Sequence, residues 1–214
     1  YQSQGREWER YAWIKARIVA GDRADGEALL ALLQPFVYRR YLDFGVFDSL
    51  REMKNKIALE VRRKGMARDI KLGAGGIREI EFFGQFFQLI RGGVVPALQE
   101  RRIMRVLERL AREGYIQAET RNRLTEAYIF LRRTEHRLQA YADQQTHHLP
   151  SDPQALERLA RAMDFETRHA FEDVLRTHRD FVHQQFDTLL ENEGRQSTGG
   201  DKQADIKPFT GVWQ

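Results

Sequence analysis

Around a run from Ile77 to Ile90 the chain sets Ile80, Phe82, Phe83, Phe86, Phe87, Leu89 and Ile90, so a helix there is apolar over most of its circumference. Such a helix must be packed on nearly all sides, and the rest of the fold has to be built around it. Glycines mark its ends, Gly73-Ala74-Gly75-Gly76 before it and Gly92-Gly93 after, which predicts a helix over 76–91. One stripe breaks the apolar surround: Arg78, Glu81, Gln85 and Gln88, spaced i, i+3, i+7 and i+10. Polar groups inside a core need partners. The stripe therefore faces a wet cleft or a polar network with neighbouring helices, and Arg78 and Glu81 are spaced to pair with each other. Glu79, in the first turn, suits the positive end of the helix dipole and needs no function.

Helical periodicity runs through nearly everything else. Helices are predicted over 4–19, over 26–40 with a bend or break at Pro35, and over 48–64, where Leu50, Met53, Ile57 and Val61 form the inner stripe and Gly65 ends it. Two more are expected over 99–113, with Ile103, Val106, Leu107 and Leu110 on one face, and over 118–142. Ser151-Asp152-Pro153-Gln154 reads as a capping box with proline in the first turn, opening a helix that runs to Met163. Thr167 caps a last helix to about Glu191, with Phe171, Val174, Leu175, Val182, Phe186 and Leu189 as its apolar face. Only 68–72 reads as a strand. The expected class is all-α, mainly a helical bundle, with one short strand.

Composition narrows the functional classes. With no cysteine among 214 residues, disulfides, thiolate metal sites and cysteine nucleophiles are excluded. No run approaches the roughly 20 apolar residues of a membrane span, and no signal peptide is visible, so a cytoplasmic location with no membrane partner is expected. The start at Tyr1 rather than Met points to a fragment of a longer polypeptide. A net charge of +4 comes from 35 basic and 31 acidic residues, a mixed surface rather than a polycation. Without an aromatic-interleaved basic groove, nucleic acid is not expected as a partner.

The chemistry-bearing feature is the segment from Asp69 to Phe83, in which a lysine, a glycine elbow and an Arg-Glu pair lead into the buried helix. Glycines let backbone approach a ligand closely, and a helix start offers amides and a positive dipole end to an anion. The alternative is a turn that only joins a strand to a core helix. In the first helix Trp8, Tyr11, Ala12, Ile18 and Val19 share a face with Lys15 in its middle. Lys15 either snorkels past the aromatics or meets an anion at a cleft edge, while Arg6, Arg10 and Arg17 line the opposite side and read as a solvated face. Glu135 interrupts the stripe Leu124, Tyr128, Leu131 and Leu138, which fits a buried ion pair with a local arginine better than a site. His178 falls on an apolar face as a core histidine, and the adjacent His147 and His148 lack metal-ligand spacing. No nucleophile with a neighbouring base is apparent.

Gly5-Arg6-Glu7-Trp8-Glu9-Arg10-Tyr11-Ala12 running into Lys15-Ala16-Arg17, then Phe36-Val37-Tyr38-Arg39-Arg40-Tyr41, Ile70 to Phe82 and Gln88-Leu89-Ile90-Arg91-Gly92-Gly93, closely resemble the glutamine synthetase adenylyltransferase family. The likeness is to its N-terminal, adenylyl-removing half and covers about residues 1–190. It implies phosphorolysis of adenylyl-tyrosine on glutamine synthetase to give ADP, with magnesium as cofactor, and with glutamine synthetase, the PII signalling protein, ATP or ADP, and phosphate as partners. The family's metal-binding aspartates sit in a Gly-Ser-Ser-Asp-x-Asp motif and a later strand, and neither occurs here, so the chain alone is expected to be inactive. The resemblance divides the chain into the end of a nucleotidyltransferase domain with the active-site back wall (1–95), a helical bundle (96–191) and a flexible linker or start of a further domain (192–214). On that footing Arg6, Lys15, Arg17, Lys71, Gly75, Gly76, Arg78 and Glu81 are the candidates for a nucleotide or phosphate pocket, with no catalytic or metal ligand in the chain. A competing reading is a helical interaction module that grips glutamine synthetase or the PII protein.

Overall fold

The described residues of the computed structural model are 5–40, 68–143 and 145–196. Among them are seven α-helices and two short 3-10 turns. They are α1 (Glu7–Ile14), α2 (Arg23–Val37), α3 (Ile77–Arg91), α4 (Ile103–Arg112), α5 (Ala118–Ala140), α6 (Pro153–Ala162) and α7 (Arg168–Gln196), with turns at Pro96–Leu98 and Tyr141–Asp143. The all-α class holds. None of these helices is long and apolar enough to cross a membrane. The helix predicted over 48–64 and the tail from 197 onward lie outside the described residues.

Among the described residues, packing sorts the chain into two units that interleave along the sequence, 5–40 with 82–117 and 68–81 with 118–143 and 145–196. The first turn of α3 belongs to one unit and its remainder to the other.

In the first unit α3 behaves as its composition requires. Phe82, Phe83, Phe86, Phe87 and Leu89 are all buried, Phe87 meets Phe83 and Phe86 edge to face at 5.4 Å, and Phe82 meets Tyr11 at 5.8 Å. α4 buries the expected Ile103, Val106, Leu107 and Leu110. Gly84 lets α4 come close: a Cβ there would stand 2.3 Å from Ile103 Cδ1. Of the polar stripe, Gln88 finds its partners inside the protein. Gln88, 1% exposed, donates through Nε2 to the carbonyls of Leu98 and Glu100, each at 2.6 Å.

α1 differs from expectation. It stops at Ile14, with Lys15 as its C-cap, and its buried residues are Arg10, Tyr11 and Ile14, whereas Trp8 and Val19 are exposed. Arg10, expected in solvent, is 1% exposed. Its guanidinium donates to Val37 O at 3.0 and 3.2 Å and to Leu89 O at 3.4 Å. Val37 ends α2 and Leu89 lies in the last turn of α3, where carbonyls have no partner within their own helix and the dipole is negative. A buried arginine closing two helix ends offsets its desolvation because Nε and Nη2 donate to helix-end carbonyls that have no partner in their own helices.

The second unit packs α5 on α7 with α6 against both. Leu124, Ala127, Leu131 and Leu138 of α5, Leu156, Leu159 and Ala160 of α6, and Phe171, Leu175, Val182, Phe186 and Leu189 of α7 are buried. Asp152 rather than Ser151 caps α6, accepting from Ala155 N at 2.9 Å, and Thr167 Oγ1 caps α7 through Ala170 N at 3.2 Å. The strand predicted over 68–72 is reduced to one antiparallel bridge, Asp69 with His148. Asp69 Oδ1 accepts from the amides of both Lys71 and Leu72 at 2.8 Å, and this turn bends the chain away before a second bridge can form.

His178 stacks obliquely on Phe130 at 4.9 Å between centroids. Burial holds its imidazole below the ordinary range, helped by Arg123 and opposed by Glu126. The unfolded chain therefore takes up this proton first, and stability falls as the pH drops through about 6.5. His178→Phe should lose less stability than the parent chain between about pH 7 and 5 in thermal melts. Arg10→Ala should cost about 2–4 kcal/mol in urea unfolding, and Arg10→Lys should restore little, because an ammonium lacks the planar fork.

Candidate functional site

The glycine elbow in the second unit is a closed set of hydrogen bonds. Gly76 N donates to Gly73 O at 2.9 Å, Ile77 N to Ile70 O at 3.1 Å and Arg78 N to Lys71 O at 2.9 Å, while Gly75 N donates to Glu79 Oε2 at 2.9 Å. The amides expected to cradle a phosphate are thus engaged within the elbow. A buried helix start far from water must satisfy its own N–H groups. Gly75 takes φ +68°, and a Cβ there would lie 2.0 Å from the carbonyl oxygen of Arg179. Glycine is needed at this position for both conformation and closeness.

With the amides engaged, charge is carried by side chains around the elbow. Lys71 Nζ lies 3.3 Å from Glu135 Oε1, and Arg132 pairs with the other oxygen of the same carboxylate. The Glu135 side chain is only 2% exposed, whereas Lys71 keeps 36% of its own open to water. The pairing expected between Glu135 and a local arginine is present, and Lys71 joins it. Asp69 is fully buried. Its Oδ2 has no hydrogen-bond partner and stands 3.5 Å from His148 Nε2 and 3.7 Å from His147 Nε2. Glu79, besides holding Gly75, faces His183 Nδ1 at 3.1 Å, and His183 Nε2 is 3.5 Å from Asp187. Arg179 Nε donates to Ala74 O at 2.9 Å. Burial pulls its guanidinium below the ordinary value, with Glu79, Asp69 and Asp180 pulling it back. Arg78 lies 3.8 Å from Glu81, the pairing their spacing allowed, and burial raises the Tyr128 hydroxyl, with Glu81 adding to the effect.

Lys71, Gly75, Gly76, Arg78 and Glu81 therefore share one elbow and helix turn. Arg6, Lys15 and Arg17 belong to the other unit. The eight residues of α1 span about 12 Å, which puts exposed Arg6 at the opposite end of that helix from Lys15 and Arg17. Lys15 Nζ donates to Arg101 O at 2.8 Å, and Arg101 donates to Ala16 O at 3.2 Å. Arg101 lines a cavity of about 790 Å³ together with Trp13, Gln34, Tyr38 and Gln99. Burial pushes the Tyr38 hydroxyl up to about 12, against the pull of Arg101.

Asp69, Arg179 and His183 are absent from the sequence-derived candidates. Arg179, His183 and Asp187 do recur at i, i+4 along α7, but the partner of that stripe is distant in sequence. Magnesium asks for several hard oxygen donors. No group of three carboxylate or imidazole side chains able to hold a metal occurs among the described residues, and the buried carboxylates here already face amides, imidazoles or cations. This donor set does not fit magnesium. Gly75→Ala should cost about 3 kcal/mol or more in urea unfolding, since no rotamer relieves a clash with backbone.

A family model described as GlnD PII-uridylyltransferase matches residues 51–190. A protein of Nitrosococcus oceani named bifunctional glutamine synthetase adenylyltransferase/adenylyl-removing enzyme is 53% identical over 213 residues, all of this chain and 22% of the relative. Proteins of the same name from Stenotrophomonas maltophilia and Neisseria meningitidis are 53% and 47% identical, over 89% and 91% of this chain and 20% and 21% of theirs. The chain thus spans about a fifth of the length of the curated relatives it matches.

Proposed function

Because the chain belongs to the GlnD PII-uridylyltransferase family, we propose that it is part of a bifunctional nucleotidyltransferase regulating glutamine synthetase, within the half that removes AMP from a tyrosine by phosphorolysis to give ADP. The observation that carries this reading is the identity of about half of all positions with adenylyltransferase/adenylyl-removing relatives over nearly the whole chain. In that reaction phosphate oxygen attacks the adenylyl phosphorus, the tyrosine oxygen leaves, and negative charge gathers on the transferred group. Catalysis of such a step rests on positioning and on fixed positive charge. Lys71 and Arg78, half-exposed at the elbow, are suited to supply that charge, and Gly75 and Gly76 to shape the backbone that carries them. Glu81 belongs with Arg78 in this proposed set, and Arg6, Lys15 and Arg17, in the other unit, are proposed by themselves as further nucleotide- or phosphate-contacting residues. Magnesium would be held by aspartates outside this chain and would supply charge neutralisation there. ATP or ADP, phosphate and the PII protein are proposed partners on the same footing, and the cytoplasm the proposed compartment.

In the full-length polypeptide Arg78→Ala should lower deadenylylation at least tenfold with folding kept, measured as phosphate-dependent ADP release from adenylylated glutamine synthetase. An unchanged rate would remove Arg78 from the site. The chain by itself should release no ADP in that assay. An interaction module for glutamine synthetase or the PII protein is the second reading, favoured by Leu29 and Leu32, which leave 52% and 69% of their surface exposed on α2. Retention of either protein by the isolated chain, with no affinity for nucleotide, would support it.

A further inference from the structure

We propose that Glu135 and Asp69 are positioning residues that hold Lys71 as a fixed cation for a phosphate oxyanion, an inference that rests on the phosphorolysis reading. A lysine side chain is ordinarily a mobile point charge on four rotatable bonds. Lys71 is fixed at three places. Its amide donates to Asp69 Oδ1 at 2.8 Å, its carbonyl accepts from Arg78 N at 2.9 Å, and its ammonium stands 3.3 Å from Glu135 Oε1. Glu135 is a costly residue to keep in the interior of α5, because a carboxylate removed from water must be compensated by opposite charge. Its Oε1 is buried without a hydrogen-bond partner, so the ammonium faces it as a charge rather than as a settled hydrogen bond. Arg132 occupies the other oxygen. Two cations thus share one carboxylate, so this trio by itself carries one positive charge, while Arg78 at the same elbow faces Glu81 and Arg179 faces Glu79 and Asp69. More than a third of the Lys71 side chain still reaches water, where an anion can meet it.

The fit is to a phosphate oxyanion, whether that of inorganic phosphate or that of the adenylyl group. Tests belong in the full-length polypeptide, assayed with adenylylated glutamine synthetase, inorganic phosphate and magnesium. Lys71→Met should lower kcat/KM for phosphate roughly 100-fold, and Glu135→Gln roughly tenfold. A rise in KM for phosphate assigns Lys71 to the attacking phosphate, and a fall in kcat at constant KM assigns it to the transferred group; either supports the proposal. The double variant should be no worse than Lys71→Met alone, because Glu135 acts through that lysine. A merely structural Glu135 would instead give losses that multiply, and that result overturns the proposal, as does wild-type kinetics for Lys71→Met. Should Glu135→Gln fail to fold, Glu135→Asp keeps the charge at shorter reach and should still shift KM or kcat for phosphate; unchanged values would overturn the proposal. If the parent polypeptide releases no ADP, the phosphorolysis reading fails; if only the variants match the parent, the positioning role alone fails.

Discussion

A helix that starts inside a protein must answer its own first amides, and that obligation shapes the elbow and everything gathered around it. Carbonyls of Ile70, Lys71 and Gly73 turn back to receive Ile77, Arg78 and Gly76, and Glu79 receives Gly75. The turn is tight enough that Gly75 lies against the backbone of α7. The donors of these amides are spent inside the protein. What the elbow does is place Lys71 and Arg78 on a rigid base, with their charges half in solvent.

The electrostatics follow from that rigidity. Asp69 and Glu135 are both buried carboxylates, and each is tolerable only because opposite charge or donors surround it. Asp69 spends one oxygen on two amides and turns the other toward paired imidazoles. Glu135 spends both oxygens on cations. Neither carboxylate offers the open oxygen pair that a divalent ion asks for.

Most of the fold could be read from periodicity and punctuation. The faces of α4, α5 and α7 alternate with the helical repeat, and Pro153 and Thr167 mark true starts. Where reading failed, the deciding partner was remote in sequence. Arg10 was assigned to solvent because its own helix offers no reason to bury it, and the reason is a pair of carbonyls 27 and 79 residues away. The segment 68–72 offers only Ile70 and Leu72 to a strand, and Asp69 turns its side chain onto its own backbone and ends the pairing. The candidate site was legible in part. A lysine, glycines and an Arg-Glu pair announce an elbow, but nothing local shows that the amides are engaged, or that α5 and α7 deliver Glu135 and Arg179 to it.

The interleaving of the two units bears on how the chain is made. Residues 5–40 pack with 82–117, so the first unit is a discontinuous body with a stretch of the other unit inserted in its sequence. During synthesis α1 leaves the ribosome with the guanidinium of Arg10 lacking one of its acceptors until Leu89 has emerged, and α4 arrives later still. Vectorial folding of this region therefore cannot proceed helix by helix. Its early segments wait in an unfinished state for a later piece of chain, and a pause in translation between them would prolong the exposure of α1.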